Sequence, residues 1–371
     1  MDEGILKPAK IPPIPNNISP SLVGELDNCG LRYAWQISKE PGQLPLPPKV
    51  KLGTIIHRIY NLASKGEITI ANFNHIWSTE VKKEEDKMSS SWLERNFVPL
   101  IKTVSEFELK RVQTLNYISR IPEKRIHPAP VKSNNSIEPE KYLSSENWKL
   151  SGQIDAIITT EQGTIIRDYK TGKVYEDSEE GEVLKNSYKN QLMLYAFLYK
   201  QERNEWPIKL EIVTSQGEVI DIPYEKSDCE NLAKNSLTKL KNLAEKIESL
   251  QKDTLRIMEL GNPGDTCTWC QYRPSCPAYK DFRKKNAYPE GTNRFDLWGT
   301  FNGLKKSRAP FIVLELKIEG KLISIQDLNP ILHPILDKLT ENDSVGIFNA
   351  KISRNKQSYL VDLSTVLYKI T

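Results

Sequence analysis

Long hydrophobic runs are what this sequence most clearly lacks. Its longest apolar stretch, residues 192–199, is far shorter than the ~20 residues that a membrane-spanning helix needs. The first residues contain neither the basic segment nor the apolar segment that forms a signal peptide. We therefore expect a cytoplasmic protein without a membrane partner.

A strong charge bias is also absent. The 371 residues include 52 Lys and Arg against 48 Asp and Glu, which gives a formal net charge of +4. This balance permits a nucleic acid partner without requiring one. Hydrophobic residues make up 38% and charged residues 27% of the chain, which is typical of a globular protein rather than a disordered one.

Cysteine is scarce, with five residues in the chain. In a cytoplasmic protein this argues against a disulfide framework. Cys267, Cys270 and Cys276 lie within ten residues, whereas Cys229 is isolated and Cys29 lies far upstream. A CxxC pair with a third cysteine close behind indicates metal or cluster ligation, although three thiolates leave a tetrahedral site one ligand short.

The apolar periodicity divides the chain into five predicted segments. Helical spacing dominates residues 73–126, alternation begins near residue 148, and the acidic stretch 175–182 is typical of a mobile surface loop. The predicted segments are an N-terminal arm and helix (1–48), a helical region (49–147), an α/β core (148–262), the cysteine cluster with a basic connector (263–296) and a small β-barrel (297–371).

The barrel prediction rests on short strands around a single short helix, a pattern that is typical of the OB type. An OB barrel binds a single nucleic acid strand through stacking aromatic side chains. Trp298, Phe301 and Tyr359 are candidates for such stacking. The competing interpretation places the same side chains in the core of the barrel.

Asp168 and Lys170 stand two residues apart on a predicted strand, so both side chains leave the same face. Asp155 comes from the neighbouring strand across a predicted turn. Carboxylates bind a hard divalent cation such as Mg²⁺, and a lysine can position or deprotonate a water and offset charge on phosphorus. Such a set suits phosphodiester hydrolysis, although Asp-x-Lys also occurs by chance on exposed strands.

Three further residues extend this set. Gln191 and Tyr195 lie four residues apart on an otherwise apolar helix, where they could orient the lysine or a phosphate. His57 could be a metal ligand. The alternative for each is plain packing or a surface position.

Together these motifs resemble those of the RecB/AddB-like branch of the PD-(D/E)XK nuclease superfamily. The motifs are Gly53-x-x-x-His57, Gly152-x-x-Asp155, Asp168-Tyr169-Lys170-Thr171-Gly172 and Gln191-x-x-x-Tyr195. The resemblance implies an α/β core like that of restriction endonucleases, a mixed sheet flanked by helices, with a helical insert. It implies metal binding by His57, Asp155, Asp168 and the Tyr169 carbonyl, and catalytic roles for Asp155, Asp168, Lys170, Gln191 and Tyr195.

The cysteines strengthen the resemblance. In iron–sulfur members of this branch, which include AddB and the nuclease of CRISPR adaptation, one cysteine lies far upstream of the core and three follow it. Cys29, Cys267, Cys270 and Cys276 match this order. Four cysteines suit a 4Fe-4S cluster and equally suit structural Zn²⁺, and the resemblance favours the cluster.

We therefore predict a metal-dependent deoxyribonuclease that uses Mg²⁺ or Mn²⁺ on single-stranded DNA or DNA ends, in repair, recombination or defence. No G-x-x-x-x-G-K-[ST] loop occurs in the sequence, so any unwinding would come from a helicase partner. Two alternatives remain at this point. One is a catalytically idle nucleic-acid-binding or assembly subunit, and the other is a zinc-stapled endonuclease acting on duplex DNA.

Overall fold

The computed structural model describes residues 3–120, 136–178, 181–250, 254–354 and 357–371. Within these ranges, no helix is long and apolar enough to cross a membrane. The α-helices are Val23–Asn28 (α1), Gly30–Ile37 (α2), Pro48–Ser64 (α3), Phe73–Ser89 (α4), Leu100–Thr103 (α5), Phe107–Ser119 (α6), Asn186–Arg203 (α7), Lys226–Leu250 (α8) and Pro277–Lys285 (α9). The strands are Ile5–Leu6 (β1), Ser136–Ser145 (β2), Leu150–Thr160 (β3), Gly163–Lys170 (β4), Tyr175–Ser178 (β5), Gly181–Leu184 (β6), Lys209–Thr214 (β7), Val219–Asp221 (β8), Phe295–Lys306 (β9), Ile312–Ile318 (β10), Lys321–Leu328 (β11), Ser344–Ile352 (β12), Ser358–Leu360 (β13) and Val366–Ile370 (β14).

A mixed sheet of five strands, in the order β2-β3-β4-β7-β8, forms the central layer of the first part of the chain. β2, β3 and β4 are antiparallel neighbours, and β7 pairs parallel with β4. A parallel pair needs a crossover connection, which α7 supplies between β4 and β7. The predicted mixed sheet flanked by helices is therefore confirmed.

Two hydrophobic clusters cover the two faces of this sheet. α1, α2, α7 and α8 pack on one face, while α3 to α6 pack on the other. The whole stretch of α7 from residue 191 to residue 199 is buried, because the sheet, α1 and α8 surround it. This explains why residues 191–199 have no polar face, and it means that any polar side chain in this stretch needs a partner inside the protein.

The predicted helical region 49–147 extends too far. Helices account for it as far as Ser119, but Ser136–Ser145 forms β2 at the edge of the sheet. The sequence did not predict this strand because Pro139 and several charged residues interrupt its apolar alternation. Strands at the edge of a sheet tolerate such interruptions. Residues 121–126, the end of the predicted helical stretch, lie outside the described residues.

The acidic stretch 175–182, predicted as a loop, forms the hairpin β5–β6 over its described residues. Lys173, just before the hairpin, lies 3.1 Å from a carboxylate oxygen of Glu182 and 3.5 Å from one of Asp177. Residues 179 and 180 lie outside the described part of the chain. The positive charge of Lys173 therefore offsets part of the negative charge of this hairpin.

The C-terminal part forms a closed sheet. β9 pairs with both β10 and β12, so five strands close in the order β9-β10-β11-β13-β12. The β11–β13 pair is parallel, and the other four pairs are antiparallel. This barrel is consistent with the predicted OB-like fold.

The barrel sheet takes in both ends of the chain. β14 pairs antiparallel with β12, and β1 pairs parallel with β14. The N-terminal segment 1–48, predicted as an arm followed by a helix, thus contributes a short strand to the C-terminal sheet. The tyrosine hydroxyl of Tyr368 also donates to the carbonyl of Gln43 at 2.6 Å.

The three aromatic residues proposed for base stacking differ in burial. Phe301 is buried inside the barrel, and Tyr359 packs against the same cluster and against Phe295. Trp298 packs edge-on against Phe348 between the barrel and the preceding segments. The core interpretation is therefore confirmed for Phe301, whereas Trp298 and Tyr359 are half-buried and pack against neighbouring aromatic rings.

A buried ion pair joins the cysteine-rich segment to the barrel. The guanidinium of Arg273 donates to the carboxylate of Asp296 in β9 and to the side-chain oxygen of Asn349 in β12. It also donates to the carbonyl of Cys270 at 3.3 Å, while the hydroxyl of Tyr279 donates to Asp296 at 2.9 Å. Arg273 and Asp296 are each 5% exposed, so each charge depends on the other to offset its lost hydration.

We expect Arg273→Ala to lower the free energy of unfolding by about 3–5 kcal/mol, because it leaves Asp296 buried without its counterion. Urea unfolding followed by tryptophan fluorescence measures the change. Arg256→Ala is the matched control, since Arg256 pairs with Glu259 at a half-exposed site and its removal should leave stability nearly unchanged. Equal urea midpoints for the two variants would contradict the prediction.

Candidate functional site

One open cavity collects the residues that the sequence analysis proposed for metal binding and catalysis. It lies where β3, β4, α3 and α7 meet. The predicted residues that line it are His57, Asp155, Asp168, Tyr169, Lys170, Gln191 and Tyr195. The fold therefore brings together side chains that are spread over about 140 residues of sequence.

A hydrogen-bonded triangle forms the centre of the cavity. β4 sends Asp168 and Lys170 to the same face, and Nζ of Lys170 lies 2.8 Å from Oδ2 of Asp168. The same Nζ donates to Oε1 of Gln191 at 2.9 Å. Nε2 of Gln191 donates to Oδ1 of Asp168 at 2.9 Å. The buried amide thus connects both charged groups and fixes their relative positions.

The two polar residues of α7 have different partners. Gln191 touches the charged pair, whereas the hydroxyl of Tyr195 donates to the backbone carbonyl of Gln153 at 2.8 Å. Tyr195 therefore anchors α7 to β3, close to Asp155. Gly152 allows this approach, because a Cβ atom there would lie 3.0 Å from the Tyr195 ring and 2.9 Å from Pro20.

Asp155 occupies the position beside the triangle. Its Oδ2 accepts a hydrogen bond from the backbone N–H of Tyr169 at 2.8 Å, and Nδ1 of His57 lies 3.7 Å from the same oxygen. Burial, with the nearby charge of Asp168, raises the pKa of Asp155 to about 7. Burial also lowers the pKa of His57, which favours the neutral ring that can bind a metal ion.

The chemistry of these donors fits a hard divalent cation. Oδ2 of Asp168 is buried, and within the described ranges it accepts no hydrogen bond, although the Lys170 ammonium lies at ion-pair distance. Carboxylate oxygens are the preferred ligands of Mg²⁺ and Mn²⁺. No three His, Cys, Asp or Glu side chains in the described part of the chain are grouped closely enough to hold a metal ion as they stand. The metal ligands therefore remain predictions.

The sequence analysis missed four residues of the cavity wall, which are Ser21, Asn61, Glu140 and Gln153. Glu140 lies in β2 between Pro139 and Lys141, whose partners in β3 are Ala156 and Ile154, and its charge helps to raise the pKa of Asp155. Glu140 also has a φ of +48°, which is uncommon for a residue with a side chain. Its position could not be read from the sequence, because β2 was assigned to a helical region.

A second cavity collects four of the five cysteines. Cys29, Cys267, Cys270 and Cys276 line it, whereas Cys229 is buried in the first turn of α8. All five cysteines are free of disulfides. Burial raises the pKa of Cys270 to about 11 and that of Cys276 to about 12, so a metal or cluster would displace protons on binding.

Hydrogen bonds already hold the two cysteine segments together. The backbone N–H of Gln43 donates to the carbonyl of Gln271 at 3.0 Å, and the hydroxyl of Ser275 donates to Oε1 of Gln43 at 2.8 Å. The hydroxyl of Tyr272 donates to the carbonyl of Glu40 at 3.0 Å. The segment after α2 and the segment after Cys270 therefore form one unit around the cysteine cavity.

Comparison with known proteins agrees with the geometry of the cavity. A family model described as the PD-(D/E)XK nuclease superfamily matches residues 17–277, which is more than half of the chain. The match ends just after Cys276 and leaves the barrel outside. A comparison with curated proteins found no match.

The raised pKa of Asp155 predicts a pH-dependent stability in metal-free protein. An unfolded Asp titrates near ~4, so between about pH 4 and pH 7 the folded state holds a proton that the unfolded state releases. Stability from this group therefore falls as pH rises through that window. Asp155→Asn removes the effect while keeping an oxygen that can accept from the Tyr169 N–H.

We expect Asp155→Asn to gain thermal stability over the parent protein as pH rises from 5 to 7.5 in the presence of chelator. Differential scanning fluorimetry of both proteins across this range measures the gap between their melting temperatures. Titrating groups far from the cavity are common to both proteins and cancel in the comparison. A gap that stays constant with pH would argue against the raised pKa.

Proposed function

The chain belongs to the PD-(D/E)XK nuclease superfamily, and we propose on this basis that it is a metal-dependent deoxyribonuclease that hydrolyses phosphodiester bonds. The observation that carries the proposal is the convergence of the Asp155 and Asp168 carboxylates in one cavity beside the Lys170 ammonium, which lies 2.8 Å from Oδ2 of Asp168. Two neighbouring carboxylates repel each other, and one ammonium group does not balance both, so the arrangement favours a bound divalent cation.

The proposed roles follow from the contacts of each residue. His57, Asp155, Asp168 and the Tyr169 carbonyl would hold Mg²⁺ or Mn²⁺, which supplies an activated water and stabilises negative charge on the phosphate. Lys170 orients that water and offsets the charge that develops on phosphorus. Gln191 holds Lys170 and Asp168 in register through its two hydrogen bonds.

The proposed substrate is single-stranded DNA or the end of a DNA chain. The strand order of the barrel supports this, since OB barrels bind single strands in a groove with basic and aromatic side chains. The end of β9 and the loop to β10 carry exposed residues suited to such contacts, including Lys306, Arg308 and Phe311, the last of which is 39% exposed. These residues are candidates for strand binding in place of the buried Phe301.

We further propose that the chain belongs to the RecB/AddB-like branch and holds a 4Fe-4S cluster as a structural staple. Support comes from four thiols that line one cavity and from the sequence order of those cysteines. The proposed setting is DNA repair, recombination or defence against foreign DNA. Because the sequence contains no helicase loop, unwinding of duplex DNA would come from a partner.

Lys170→Ala should abolish cleavage of labelled single-stranded DNA, since the ammonium group is lost while the carboxylates remain. Anaerobically purified protein is incubated with Mg²⁺ or Mn²⁺, then with chelator, and the products are resolved on a denaturing gel. We expect metal-dependent cleavage by the parent protein and a rate at least about 100-fold lower for the variant. Lys200→Ala, on the far turn of α7, is the control and should cleave normally.

Binding without cleavage by the parent protein, Lys170→Ala and Lys200→Ala alike would overturn the catalytic proposal. That result would favour a binding or assembly subunit on a nuclease scaffold. Cleavage of duplex DNA with no preference for single strands or ends would contradict the proposed substrate.

Cys276→Ser should remove the bound iron, whereas Cys229→Ser should leave it unchanged, because Cys229 lies away from the cysteine cavity. Iron and sulfide content, with the broad absorption near ~400 nm that such clusters show, measure the outcome. Stoichiometric zinc and a colourless parent protein would identify a zinc staple instead and refute the cluster.

A further inference from the structure

The ammonium group of Lys170 has a third contact that the catalytic motifs do not include. Its Nζ lies 4.4 Å from the centroid of the Tyr188 ring. A cation within about 6 Å of an aromatic face is attracted by the ring quadrupole, and the attraction grows where water is excluded. The Lys170 side chain is 17% exposed, so this contact is largely shielded from solvent.

Tyr188 can act together with Gln191. Both residues lie on α7, three positions apart, and residues with this spacing share one face of a helix. One face of α7 therefore offers an amide oxygen and an aromatic ring to a single ammonium group. Nζ of Lys185 also lies over the Tyr188 ring, at 5.5 Å, so this half-buried ring faces positive charge.

The contact with the Tyr188 ring matters because Asp168, another partner of Lys170, cannot hold its ammonium group as well when a metal ion is bound. A lysine side chain is long and flexible, so it loses much rotamer freedom when it is held in one orientation. Asp168 is an expected metal ligand, and an oxygen that binds a cation can serve the ammonium group less well. The aromatic ring of Tyr188 restrains Lys170 without competing for the metal ion.

We infer that Tyr188 is a positioning residue for Lys170, whose ring holds the ammonium group beside Asp168 and Gln191 in the orientation that catalysis uses. The inference rests on the proposed nuclease function and adds a residue to the same site. It requires the aromatic ring and not the hydroxyl group, so Tyr188→Phe keeps the function and Tyr188→Leu loses it.

The first test does not depend on activity. The protein is trace-labelled with acetic anhydride, and the modification of each lysine is quantified by mass spectrometry. We expect Lys170 to react about 3- to 30-fold faster in Tyr188→Leu than in the parent protein, because the ring no longer covers it, and at the parent rate in Tyr188→Phe. Lys110, which donates to the Thr171 carbonyl, is the internal reference.

The second test measures cleavage of single-stranded DNA. Tyr188→Leu should lower kcat by a similar factor of about 3 to 30 and leave KM within about twofold, because the ring contacts the lysine rather than the substrate. Tyr188→Phe should match the parent protein in both constants. Tyr175→Leu is the matched control, since Tyr175 is a half-buried tyrosine packed against the same hydrophobic cluster.

Three results would overturn the inference. They are parent-like labelling of Lys170 in Tyr188→Leu, equal defects in the Leu and Phe variants, and a rise in labelling of the same size in Tyr175→Leu. A parent protein that cleaves no DNA would refute the proposed function instead. The labelling comparison would then still decide whether Tyr188 positions Lys170.

Discussion

The structure around the proposed active site is built to tolerate two acidic side chains, Asp155 and Asp168, side by side in a largely buried place. Like charges in a medium of low polarity raise each other's energy, and burial adds to the cost. Asp168 is 3% exposed and depends on the Gln191 amide and the Lys170 ammonium, while Asp155 depends on the Tyr169 N–H. Because α7 supplies the amide, the site also depends on the sheet and helices that surround α7.

A second set of interactions ties distant parts of the chain together without any metal. Arg273 and Asp296 join the cysteine-rich segment to the barrel, and Gln43 joins that segment to the stretch after α2. Arg273 itself lines the cysteine cavity. A cluster bound there would therefore reinforce an arrangement that hydrogen bonds and a buried ion pair already favour, rather than create it.

The sequence predicted the parts of the site that follow local spacing. Alternation along a strand set Asp168 and Lys170 on one face, and the helical turn set Gln191 near Tyr195. The sequence could not predict that Glu140 and Tyr188 lie at the site, since the position of each depends on how one secondary-structure element packs against another. The same limit applies to the aromatic residues of the barrel: their type favours stacking and core packing equally, and burial decides between the two.

The pairing of β1 with β14 links residues near opposite ends of the chain, as in the bond from Thr371 to the carbonyl of Leu6, 365 residues apart. During synthesis on a ribosome, β1 emerges long before its partner strand β14. At about 5–20 residues per second, the N-terminal segment waits on the order of half a minute for that partner. The residues of the five-stranded sheet are all made in the meantime, so the barrel sheet can be completed only after that sheet has had time to form.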